Sequence, residues 1–62
     1  MKVKIIGAGS IGNHMAHASR SLGHKVVMCD TDEQALLRTK KNIYPLRYGK
    51  WDDKIELFKF GQ

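Results

Sequence analysis

The sequence predicts an α/β fold, a partial βαβα unit on parallel strands, and three observations carry that prediction. A β-branched run (Val3, Ile5, Ile6) breaks into glycines at positions 7, 9 and 12, a helical pattern begins at once, and a second apolar run, Val26 to Cys29, follows. Strand, glycine turn, helix, strand is the order in which a crossover helix joins two parallel strands.

The first strand is expected to end at Gly7, because glycine accepts backbone angles closed to residues with a Cβ. In a G-x-G-x-x-G turn the first glycine makes the bend and the second lets a pyrophosphate approach the backbone. The third lets the new helix lie close on the strand. Gly7, Gly9 and Gly12 stand in those places. The N–H groups around Gly9, Ser10 and Ile11 would then point at an anion, aided by the positive end of the helix dipole.

Ile11, Met15, Ala18 and Leu22 recur at offsets of four, three and four, one stripe of a helix over about 10–22, and Gly23 supplies its stop. Gly12 inside that helix costs about 1 kcal/mol by propensity, which close packing would explain. Lys25 to Asp30 reads as a parallel strand covered on both faces. Asp30 stands eighteen positions after Gly12, near the spacing of about 20 at which a carboxylate takes an adenosine ribose by its hydroxyls. The carboxylate would repel a 2′-phosphate, and the next residue is Thr31 and not an arginine, so NAD is expected over NADP.

Thr31-Asp32-Glu33-Gln34 has the form of a capping box with Thr31 as cap. The helix it opens should finish near Lys41 or Asn42, because Pro45 disfavours helical angles at Tyr44. Beyond Tyr44 the pattern is mixed. Trp51, Ile55 and Phe58 recur at helical spacing while Ile55-Glu56-Leu57 alternates as a strand would, and a short helix from Asp52 is expected, with Asp52 and Asp53 as its capping residues.

At 62 residues the chain is one domain at most, and a globule of that size buries only about 60% of its unfolded surface. A hydrophobic share of 42% and a charged share of 27% argue against disorder. The lone Cys29 cannot form an internal disulfide, and its apolar neighbours suggest packing in a reduced, cytoplasmic compartment. No secretory signal and no membrane-spanning run is visible. The net charge of +5 gathers in Arg38, Lys40, Lys41, Arg47 and Lys50, interleaved with Tyr44 and Tyr48. A solvated helix end is preferred to a nucleic-acid surface as the reason. His14, His17, His24 and Cys29 lack the spacing of a metal site, and no catalytic residue can be singled out.

KVKIIGAGSIGNHMAHASRSLGHKVVMCDTD, with the later YPLRYGKWDDKIELF, resembles the amino terminus of the glucose-fructose oxidoreductase and inositol dehydrogenase family of nicotinamide-dependent sugar oxidoreductases. The resemblance implies a Rossmann domain binding NAD(P), with Gly7, Gly9, Ser10, Ile11, Gly12 and Asp30 as cofactor positions, and Thr31, next to Asp30, is expected to join them as a cofactor-binding residue. It also implies a substrate domain that exchanges hydride with a sugar or cyclitol hydroxyl carbon. Residues 1–62 would be the amino-terminal part of the dinucleotide-binding domain, with no second domain and with the family's catalytic lysine segment beyond them. The sugar-like substrate is then met only in a longer parent, and the uncovered strands of the short chain are expected to self-associate. A non-catalytic nucleotide-sensing module is the alternative.

Overall fold

A computed structural model describes residues 1–61, so Gln62, the last residue of the expected span, lies outside the described residues. Strands β1 (Lys2–Ile6), β2 (Lys25–Asp30) and β3 (Ile55–Lys59) form one parallel sheet in the order β1-β2-β3. Helix α1 (Ser10–Ser21) joins the first two strands. Between β2 and β3 the chain runs through α2 (Glu33–Arg38), a π-helical turn (Thr39–Ile43) and α3 (Tyr44–Tyr48). This succession is the first half of a Rossmann sheet, a partial α/β domain of parallel strands.

The register sets Val3, Val26 and Ile55 in one row and Ile5, Met28 and Leu57 in the next. These six residues share the face on which the helices lie, where they pack with Ala16, Ala35, Leu36 and Tyr44. The opposite face carries Lys4, Val27 and Glu56 in one row and Ile6, Cys29 and Phe58 in another, and no described element covers it. The expected double cover of β2 is therefore corrected to a single one. Cys29 is nonetheless buried, flanked in register by Ile6 and Phe58.

The expected helix from Asp52 is a strand instead. The pairing partner decided it: β2 offers a free edge, and Val26 to Asp30 take Ile55 to Lys59 in parallel register. The alternation of Ile55, Glu56 and Leu57 thus outweighs the helical spacing of Trp51, Ile55 and Phe58. Asp52 does not cap a helix. Its Oδ1 accepts from the Lys54 N–H at 3.0 Å in the turn before β3, and its Oδ2 accepts from Arg20 Nε at 2.8 Å. Asp53 is an exposed turn residue.

Helical backbone also runs past the expected stop at Lys41 or Asn42. Tyr44 stays helical at φ −66° and ψ −49°, and Pro45 falls in the first turn of α3, where no N–H is demanded of it. The cap of α2 is corrected as well: Asp32, not Thr31, accepts the Gln34 N–H, at 2.9 Å.

Helix α1 forms where expected, yet its apolar stripe is not its buried side. Ile11 and Leu22 are 77% and 75% exposed, and the buried residues of the helix are Gly12, Asn13 and Ala16. Gly12 holds its place there because the helix approaches the strand and turn so closely that a Cβ would run into the Gly7 carbonyl. At the amino ends of the strands an aromatic group closes the core. His17 stacks on Tyr48 with ring centres 3.8 Å apart, and Tyr44 meets Trp51 edge-on at 5.3 Å. Burial raises the Tyr44 hydroxyl above its ordinary value, with the Asp52 and Tyr48 charges adding to the shift. Among the described residues no helix is long and apolar enough to cross a membrane.

Candidate functional site

The carboxyl ends of β1 and β2 and the amino end of α1 meet at the glycine turn. Gly7 has φ +103° and closes the β-ladder by donating its N–H to the Cys29 carbonyl at 2.7 Å, a conformation that a residue with a Cβ rarely adopts. Gly12 is held by contact: a Cβ there would lie 2.1 Å from the Gly7 carbonyl oxygen and 3.5 Å from Ile5 Cγ2. Gly9 differs from both. Its φ is −90°, which any residue adopts, and a Cβ built on it would meet nothing within 4 Å.

Helix α1 starts at Ser10 with Gly9 in the capping place, with no side-chain cap and no acidic residue in its first turn. Its leading N–H groups therefore have no side chain to satisfy them, and the positive end of the dipole is uncompensated. Beside the turn lies a cleft of about 500 Å³ lined by Ile6, Gly9, Ser10, Ile11, Gly12 and Met15 among others. Ile11 and Met15, the amino-terminal part of the exposed stripe of α1, line this cleft, which gives those two apolar side chains a place on the helix side turned from the core.

Asp30 reaches the turn from the end of β2. Its Oδ1 accepts the Asp32 N–H at 2.9 Å and its Oδ2 the Ala8 N–H at 2.9 Å. Those N–H groups, Asp32 first and then Ala8 and Thr31, hold the carboxyl below the usual carboxylate range against the opposing effect of burial, and the Arg38 cation adds to the lowering. Each oxygen keeps a second lone pair for a hydroxyl donor. Thr31 is exposed, with its Cγ2 close over Gly61 where the chain leaves β3. Gly7, Gly9, Ser10, Ile11, Gly12, Asp30 and Thr31 thus all lie along one sheet edge.

Two residues of this edge were missed by sequence reasoning. Asn13 and Thr39 are fully buried polar side chains. Thr39 Oγ1 donates to the Ala8 carbonyl at 2.9 Å and accepts from Asn13 Nδ2 at 3.1 Å, and Asn13 Nδ2 also donates to the Gly9 carbonyl at 2.8 Å. The pair fastens the π turn after α2 to the glycine turn. The available signal was the placement of Asn13 beside Gly12, on the helix side that a glycine of close approach marks as facing the sheet. His14, His17, His24 and Cys29 are not gathered, and among the described residues no three His, Cys, Asp or Glu side chains lie close enough to share an ion.

A parallel sheet whose first strand turns through glycines into a crossover helix, with a carboxylate at the end of the second strand, defines a Rossmann dinucleotide-binding domain. The family model described as "3-hydroxyacyl-CoA dehydrogenase, NAD binding domain" matches residues 2–56. The chain belongs to that family of NAD-binding domains, and its cofactor is NAD. No curated protein and no solved structure matches the chain. The match supports a dehydrogenase-type NAD-binding segment; it does not carry the narrower likeness to sugar oxidoreductases, nor a sugar or cyclitol substrate.

Proposed function

We propose that residues 1–62 seat the adenosine and pyrophosphate half of NAD in a dehydrogenase that exchanges hydride with a hydroxyl-bearing carbon. In this reading Ser10, Ile11 and the glycines receive the pyrophosphate, while Asp30, beside Thr31, takes the ribose hydroxyls. The observation that carries it is Gly9: neither backbone angle nor crowding within the chain requires a glycine there, whereas a pyrophosphate lying on the turn would.

The family match favours a 3-hydroxyacyl thioester as the substrate of the whole enzyme. The likeness of Lys2 to Asp32 and of the Tyr44 to Phe58 stretch to sugar oxidoreductases favours a sugar or cyclitol. Both substrates give up hydride from a hydroxyl carbon, and in both readings the reacting groups belong to protein outside residues 1–62. A regulatory module that binds NAD without turnover would use the same seat.

Calorimetric titration of NAD into wild type and Gly9→Val tests the seat. The valine variant should keep its helical circular dichroism, since its Cβ meets open space, and lose at least about tenfold in affinity. Equal affinity in the two proteins would remove Gly9 from the site.

A further inference from the structure

We propose that Arg47, a residue outside the glycine motif, is a further cofactor-binding residue that supplies a cation to the pyrophosphate of NAD. The proposal rests on the reading that the glycine turn seats the pyrophosphate. Arg47 lies on α3, and its Nη2 donates to Ser10 Oγ, on the first residue of α1 and 37 positions away in sequence.

That placement is electrostatically unusual. The amino end of α1 carries the positive end of the helix dipole, and no acidic residue lies in its first turn. A guanidinium set beside it meets like charge. The ion pairs among the described residues are Lys2 with Glu56 and Arg20 with Asp52, so no carboxylate there balances Arg47. An anion lying against both the guanidinium and the helix end offsets the two like-signed centres at once. Arg47 is exposed, and its planar fork has five N–H donors, of which the contact with Ser10 uses one.

The fold rather than the local sequence makes this arrangement. The chain stays helical through the π turn and Pro45, the buried Tyr44 anchors α3 in the core, and Arg47 projects from the exposed side three residues later. A helix ending at Lys41 or Asn42 would have left Arg47 in a loop with no set distance to Ser10.

The test is calorimetric titration of NAD and ADP into wild type, Arg47→Gln, Arg47→Lys and Gly9→Val at several salt concentrations, with thermal melts of each protein. Arg47→Gln should bind both ligands about 10- to 100-fold more weakly, with a shallower salt dependence and an unchanged melting midpoint. Arg47→Lys should fall between, because it keeps the charge and loses the fork. If Arg47→Gln matches wild type while Gly9→Val does not, the role of Arg47 is overturned and the seat stands. A wild-type affinity in Gly9→Val as well would mean that the seat itself is misplaced. Weaker binding with an unchanged salt slope and a lowered midpoint would make Arg47 a structural residue and overturn the proposal.

Discussion

The backbone N–H of Ala8 donates to Oδ2 of Asp30 at 2.9 Å, so one carboxylate joins the end of β2 to the glycine turn that follows β1. The same side chain also accepts the Asp32 N–H through its other oxygen. Asp30 thereby shapes the turn and presents a negative charge along the edge where a ribose would lie.

Replacing Asp30 by alanine removes both effects. The preference for NAD over NADP should shrink, because the hydroxyl acceptor and the repulsion of a 2′-phosphate disappear together. Titration of both cofactors measures it, and an unchanged ratio would count against Asp30 as the ribose ligand.

Acid should weaken the fold through two carboxylates. The Asp32 and Ala8 N–H groups lower Asp30 from an ordinary value of 3.8. Asp52 is also lowered: burial pushes it up, but the Lys54 N–H and the Arg20 guanidinium outweigh burial. A carboxyl depressed in the folded state stabilises it fully above the unfolded value, and that contribution is lost as pH falls through the folded one. Melting midpoints should therefore be level near neutrality and drop below about pH 4. The drop should be smaller in Asp30→Ala, and an equal drop would show that the carboxylate contributes nothing.

Gly12→Ala should be severely destabilising although alanine is the better helix former. Its Cβ would sit 2.1 Å from a backbone oxygen, so α1 must move off the strand. Overpacking of this kind costs about 3 kcal/mol against a helix-propensity gain of about 1 kcal/mol. A domain of this length has a total stability on the order of 3–9 kcal/mol, so a large share goes. Urea unfolding followed by circular dichroism reads it; a midpoint equal to wild type would mean that the close approach is not real.

Thr39→Val keeps the shape and deletes the hydroxyl that bridges Ala8 and Asn13. Leaving those buried groups short of a partner should cost about 1–3 kcal/mol, with NAD affinity falling too because the turn loosens. Serine at the same position should recover most of the stability. Should valine unfold at the same urea concentration as threonine, the bridge has no energetic weight.

The uncovered sheet face should make the isolated chain associate. Ile6 and Phe58 are more than half exposed there, next to Val27, and a contiguous apolar surface of that kind favours contact with another chain. Sedimentation at rising concentration should show dimers or larger species, and Phe58→Lys should return the monomer. A wild-type monomer at every concentration would refute the expectation.

By itself the sequence determined what depends on neighbours along the chain. β-branched runs specify β1 and β2, the spacing of Gly7, Gly9 and Gly12 specifies the turn and the start of α1, and Asp30 falls at the end of β2 because strand length sets it there. Together these were enough to read an NAD-binding domain. The tertiary structure decided what depends on partners distant in sequence. Ile55 to Lys59 is a strand because β2 offers its edge. The stripe of Ile11, Met15 and Leu22 is exposed because Gly12 draws the other side of α1 onto Ile5 and Gly7. Asn13 meets Thr39 across 26 positions and Arg47 meets Ser10 across 37, contacts that no local pattern encodes. Periodicity records which residues share a face. Which face is buried, and against what, follows from the packing of the whole chain.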